Sequence, residues 1–79
     1  MGFAKSEREI AERTARFIKA ELKRAGMTYH DLAERLKDHG LSETRHSITS
    51  KLKRGTFPAT FLIAVLAAIG LQGVDLADL

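Results

Sequence analysis

The stretch SETRHSITSKLKRGTF, Ser42 to Phe57, sets Arg45, Lys51, Lys53 and Arg54 against one carboxylate, Glu43, and no further acid occurs before Asp75. Cations without local counter-charges attract a polyanion, and the phosphates of nucleic acid are the partner such a segment suits. Taking the midpoint between Ile48 and Leu52 as the inward direction, and stepping about 100° per residue along a helix, turns Glu43, His46, Ser47, Ser50, Lys53 and Arg54 outward. Arg45, Thr49 and Lys51 then lie on the flanks. Short hydroxyls let a helix backbone come close to a surface while long cations reach phosphates on either side, a combination suited to a DNA major groove. The same face also reads as polar residues turned to water, so the surrounding elements must decide.

Other chemistry finds little in the chain. His30, His39 and His46 lack the close pairing of zinc ligands, and with no Cys there is no thiolate to complete a site, so no metal or other cofactor is expected. Ser, His and Asp all occur, but no nucleophile elbow, Gly-rich phosphate loop or paired carboxylate is recognisable, and the expectation is a protein that is not an enzyme and takes no small-molecule substrate. MGFAKS fits the loose N-myristoylation pattern at Gly2, although Ser6 already has a role as a helix cap.

The totals bound the rest. A chain of 79 residues, 44% of them hydrophobic, builds one core and is read as a single domain spanning 1–79. The charged opening, Met1 to Ile10, is unlike a secretory signal, and the absence of Cys suits a reducing cytoplasm. The longest apolar run, Phe61 to Ile69, falls short of the roughly 20 residues a membrane span needs, so no membrane is expected. The net charge of +3 is unevenly placed: residues 1–55 carry all thirteen Lys and Arg, whereas residues 56–79 carry only Asp75 and Asp78.

Four helices account for the periodicity, and strand signals are absent, so the fold class is all-α. Ile10, Thr14, Phe17, Ile18, Leu22 and Ala25 form a helical stripe over about Glu7 to Ala25, opened by a Ser6–Glu9 capping box and closed by Gly26. Thr28 and Asp31 repeat the box for a second helix with Tyr29, Leu32, Ala33 and Leu36 inward and Gly40 as its stop. A third runs from about Thr44 to Arg54, capped by Ser42 or Thr44 and ended by Gly55. Pro58 suits the first turn of a fourth, which ends at about Ile69 before Gly70 and is apolar nearly all round. The tail VDLADL is expected to add a short turn packing Leu76 and Leu79.

From Met27 to Leu71, the segments MTYHDLAERL, ITSKLKRGTFP and LAAIGL resemble the lambda-repressor-like helix-turn-helix domains of Cro and phage repressors. The likeness lies in LA inside the second helix, RG closing the third, Pro soon after, and AAIG ending the fourth. Phe17 to Gly70 is also similar to a small bacterial family of uncharacterised proteins with the pattern TYxxLAxxL … K(I/L)xRGxFxxxFLxxxLxAIG. The turn after Ala33 is longer than is usual in the broad family. The resemblance implies a bundle of four to five helices with its helix-turn-helix core at about 27–55, and a transcriptional regulator binding double-stranded DNA. It further implies base contacts from Glu43, Arg45, His46, Ser47 and Ser50, and backbone contacts from Thr28, Tyr29, His30, Lys51, Lys53, Arg54 and Thr56. Phe57, Phe61, Leu62 and Leu66 fill the core by default, yet the fourth helix has apolar surface to spare. They are also the expected contact of a homodimer, since lambda-like domains commonly act as two-fold pairs. The alternative is a protein-interaction module that keeps the fold without binding DNA.

Overall fold

A computed structural model describes residues 3–79; Gly2, the residue of the acylation pattern, lies outside them. The described residues form four α-helices and no strand: α1 (Glu7–Ala25), α2 (Tyr29–Leu36), α3 (Arg45–Arg54) and α4 (Ala59–Ile69). Short 3-10 turns follow α2 at Lys37–His39 and occupy the tail at Leu76–Asp78. The extra length between the second and third helices is thus ordered chain, ending at Gly40. None of the four helices is long and apolar enough to cross a membrane.

The helix ends follow the sequence signals closely. Thr28 accepts the Asp31 N–H at 3.0 Å while the Asp31 carboxylate accepts the Thr28 N–H at 3.0 Å, a reciprocal box. Thr44, not Ser42, caps α3, and its partner is the Ser47 hydroxyl. The α1 box is only half formed. Ser6 Oγ accepts the Glu9 N–H, but Glu9 reaches past the cap to the Lys5 N–H at 3.0 Å and to Arg13 at 2.8 Å. Pro58 is the N-cap residue of α4 rather than part of its first turn, with φ −61° and an extended ψ of 150°.

One core joins the helices. α2 packs against both α3 and α4, and α1 lies across the same two. Ile18, Leu32, Leu36, Ile48 and Val65 are fully buried, with Leu22, Leu52 and Phe61 close to it, and no polar or charged residue is buried among them. Each such aliphatic or aromatic side chain contributes about 1.5–3 kcal/mol by leaving water, so this cluster supplies most of the driving force.

Three expectations are corrected. The buried stripe of α1 is Ala11, Ala15, Ile18 and Leu22, so Ile10 (42% exposed) and Ala25 fall outside it. Phe61, expected at a dimer contact, is 2% exposed in the core, with Phe57 edge-on to it at 5.0 Å. Leu76 is 60% exposed, and only Leu79 of the tail pair is partly covered, where its main-chain oxygen accepts a hydrogen bond from Arg13 at 3.1 Å.

The rotation of α1 has a local cause at Gly55, which closes α3 in the left-handed region at φ 76°. A Cβ there would lie 2.7 Å from the Ala11 carbonyl oxygen and 2.8 Å from the Ala11 Cβ. The end of α3 therefore seats its backbone on α1 at a point where both residues are minimal. Between α3 and α4 the chain bends by 117°.

Gly55→Ala combines left-handed strain with overpacking against a helix backbone, and is expected to cost about 2–5 kcal/mol. Gly26→Ala meets only the strain, since nothing lies within 4 Å of its Cβ position. Thermal melts of both variants test this; a Gly55→Ala protein melting no lower than Gly26→Ala would show that the Ala11 approach carries no stability.

Candidate functional site

The α3 surface is the densest set of residues able to hold a ligand electrostatically. Ile48 and Leu52 anchor the helix in the core, and Arg45, His46, Thr49, Lys53 and Arg54 stand exposed. Ser47, Ser50 and Lys51 are half-buried. Among the described residues, no carboxylate pairs with Arg45, Lys53 or Arg54. Thr49, which the sequence reading left on the flank, is exposed, and its hydroxyl donates to the Arg45 carbonyl at 2.9 Å.

Glu43, Ser47 and Lys51 form a separate, inward-turned group. The Ser47 hydroxyl lies 2.6 Å from Glu43 Oε1, and Lys51 Nζ lies 3.1 Å from the same oxygen. The Lys51 ammonium is also 5.5 Å from the Phe61 ring centroid, in range of a cation–π contact. Glu43 and Ser47, expected to point outward, are instead tied down: the Ser47 hydroxyl serves the Thr44 cap and meets the Glu43 carboxylate, which also pairs with Lys51. Only 11% of the Glu43 side chain and 23% of that of Lys51 are exposed.

At the other end of α3, Lys53, Arg54 and Thr56 share a shallow depression with Glu7, Arg8, Ala11 and Glu12 of α1. Arg8 was absent from the sequence-derived set. Its placement follows from the Gly55–Ala11 contact, which pattern reading does not reveal. Glu12 pairs with Arg8 at 3.7 Å in a largely exposed bridge, which contributes little and is screened by salt.

Thr28, Tyr29 and His30 lie at the start of α2, Tyr29 half-buried and the other two exposed. No hydrogen bond or ion pair joins them to the α3 residues among the described residues. The Asp31 carboxyl already occupies this helix end and is held below its ordinary value of 3.8, chiefly by the Thr28 backbone N–H and next by the Thr28 hydroxyl. A carboxylate at a helix N-terminus competes with any phosphate for the same donors. No group of three or more His, Cys, Asp or Glu among the described residues could hold a metal ion.

A family model described as a domain of unknown function, DUF6471, matches residues 10–74. The chain belongs to this family. The match runs from the first turn of α1 through α4 into the tail, so the family unit includes the α3 surface, the Gly55–Ala11 contact and the core. No curated protein and no solved structure matches the chain.

Because the Asp31 carboxyl titrates lower in the folded chain than in the unfolded one, its stabilisation is present above pH 3.8 and is lost as the pH falls through the lowered folded value. Asp31→Asn is expected to flatten the acid limb of a stability–pH curve read by thermal melting. An acid limb identical to that of the parent chain would show that the box is not titrating.

Proposed function

We propose that the chain binds double-stranded DNA without catalysis, presenting α3 to the major groove as the second helix of a lambda-repressor-like helix-turn-helix, and that it acts as a small cytoplasmic regulator of transcription. The observation that carries the reading is the exposed, unpaired cation set Arg45, Lys53 and Arg54, distributed over both ends of a helix whose middle offers short hydroxyls. Cations at the ends of a groove-lying helix reach the two flanking backbones, and Thr49, Ser50 and His46 between them reach base edges. Support also comes from the packing of α2 on α3 through Leu32, Ala33, Leu36, Ile48 and Leu52, which fixes the direction of that face. Arg8 extends the cation set from α1.

A specific observation favours protein contact as well. On α4, Thr60, Ile63 and Ala67 share an exposed face, Ile63 at 65%, and border an apolar groove with Leu41, Ala64 and His39. No ionisable residue lies between Ala59 and Ile69. Two-fold pairing sets each residue near its own copy, so a neutral face is the one that self-associates without like-charge repulsion. We assign this face, in place of Phe61, to the homodimer contact.

With Arg45, Lys53 and Arg54 each neutralising one phosphate, the logarithm of affinity for a random duplex pool is expected to fall with the logarithm of salt at a slope of about −2.7. Between 50 and 200 mM salt that is about a fortyfold loss, readable by fluorescence anisotropy. Lys53→Glu with Arg54→Glu is expected to abolish the binding while leaving the melting temperature in place. Unchanged affinity in the folded double variant would sink the assignment of this face, and a preference for single-stranded RNA would redirect it. Light scattering tests the pairing: Ile63→Glu is expected to give a monomer at concentrations where the parent chain dimerises, and a parent chain that stays monomeric at millimolar concentration rules the pair out.

A further inference from the structure

We infer that Glu43 is a positioning residue of the α3 surface: its carboxylate holds Lys51 away from phosphates, leaving the cations at the helix ends to meet a duplex. This rests on the nucleic-acid reading above and adds a control on the same face. Among the four Lys and Arg side chains from Arg45 to Arg54, Lys51 is the one paired with a carboxylate among the described residues. The pair is the most covered ion pair among the described residues, with Arg13–Glu9, 30% and 34% exposed, the next. Arg8 and Glu12 are 88% and 67% exposed, whereas Lys51 and Glu43 are 23% and 11%. Water and salt screen a covered pair far less than an open one.

Three contacts converge on the latch. Glu43 Oε1 lies 2.6 Å from the Ser47 hydroxyl and 3.1 Å from Lys51 Nζ, and the ammonium stands 5.5 Å from the centroid of the Phe61 ring, which is itself in the core. Lys51 is therefore drawn along the flank of α3 toward α4. With two donors on one oxygen and little exposure, Glu43 acts through Lys51 and is not itself a base contact.

Such an arrangement lowers the phosphate-contact share of duplex affinity. Non-specific affinity comes almost wholly from phosphates neutralised, each adding about 0.9 to the salt slope. A latched lysine adds nothing to that term. The residues placed to read base edges, Arg45, His46, Thr49 and Ser50, are untouched by the latch, so withholding one cation weakens binding about equally across sequences and leaves the reading of bases to them.

Glu43→Gln keeps the side-chain shape and an acceptor for Ser47 while removing the charge that holds Lys51. It is expected to tighten binding to the random duplex pool about five- to tenfold at 0.1 M salt and to steepen the salt slope by about 0.9. Lys51→Met is expected to leave the parent affinity within about twofold and to cancel the gain in the Glu43→Gln background. A second readout needs no DNA: limited acetylation followed by mass spectrometry, where Lys51 is expected to react faster relative to Lys53 in Glu43→Gln than in the parent chain. Duplex binding with no change in slope or in Lys51 reactivity overturns the latch alone. A Lys51→Met loss in the parent chain as large as that of Lys53→Met also overturns it, because Lys51 would already be touching phosphate. Faster Lys51 acetylation with no duplex binding by any variant overturns the nucleic-acid reading, and with it the role given to the latch.

Discussion

The contact between Gly55 and Ala11 sets the geometry from which the rest follows. A helix end can press its backbone onto a second helix only where both sides lack bulk, and here the added Cβ would sit within 3 Å of three Ala11 atoms. That requirement fixes which side of α1 turns inward, placing Ala11 and Ala15 where a pattern of large apolar residues would have placed Ile10. It brings Arg8 to the depression that holds Lys53 and Arg54. It also sets the point at which the chain bends by 117° to begin α4, whose Phe61 then supplies the ring under Lys51.

The two capping boxes look alike and differ in charge. α2 is closed by Thr28 and Asp31, which leaves a carboxylate on the helix donors; α3 is closed by Thr44 and Ser47, both neutral. A helix N-terminus carries partial positive charge, and an acid on it offsets that charge. The acid at the start of α3 is Glu43, and its charge is met by Lys51; at the other end Glu7 and Glu12 of α1 share the depression with Lys53 and Arg54, Glu12 being paired with Arg8. Arg45 at one end and Lys53 and Arg54 at the other are the α3 cations without a paired carboxylate among the described residues. In the proposed docking, α3 is the helix whose ends remain receptive to phosphate.

Much of this was legible in the sequence, for reasons that differ by element. Caps and glycine stops are local chemistry, so the bounds of α1 and the end of α3 follow from Ser6, Gly26 and Gly55 without reference to the rest of the chain, whereas Ser42 and Thr44 are equally good caps by type and only the fold selects Thr44. The inward faces of α2 and α3 also follow, because Leu32, Leu36, Ile48 and Leu52 are large and regularly spaced. The face of α1 does not, since its contact residues include two alanines chosen for their smallness. The outward orientation assigned to Glu43 and Ser47 failed for a related reason. Stepping 100° per residue presumes that Glu43 belongs to the helix, whereas it precedes the Thr44 cap and its carboxylate reaches along α3 to Ser47 and Lys51.

The economy of α3 itself bears on what the fold is for. Of its ten residues only Ile48 and Leu52 are buried, whereas the eleven of α4 bury four and partly cover three more. A ten-residue helix is marginal on its own, so α3 persists through two core side chains, its capping box, the Glu43–Lys51 bridge and the seat of Gly55 on α1. Every one of those supports lies at an end or on the inner side. The arrangement leaves the middle of the outer face to small and polar side chains: His46 is exposed, Ser50 half-covered, and the Thr49 hydroxyl turns back to the Arg45 carbonyl, so in the proposed docking this face lets the helix backbone approach closely.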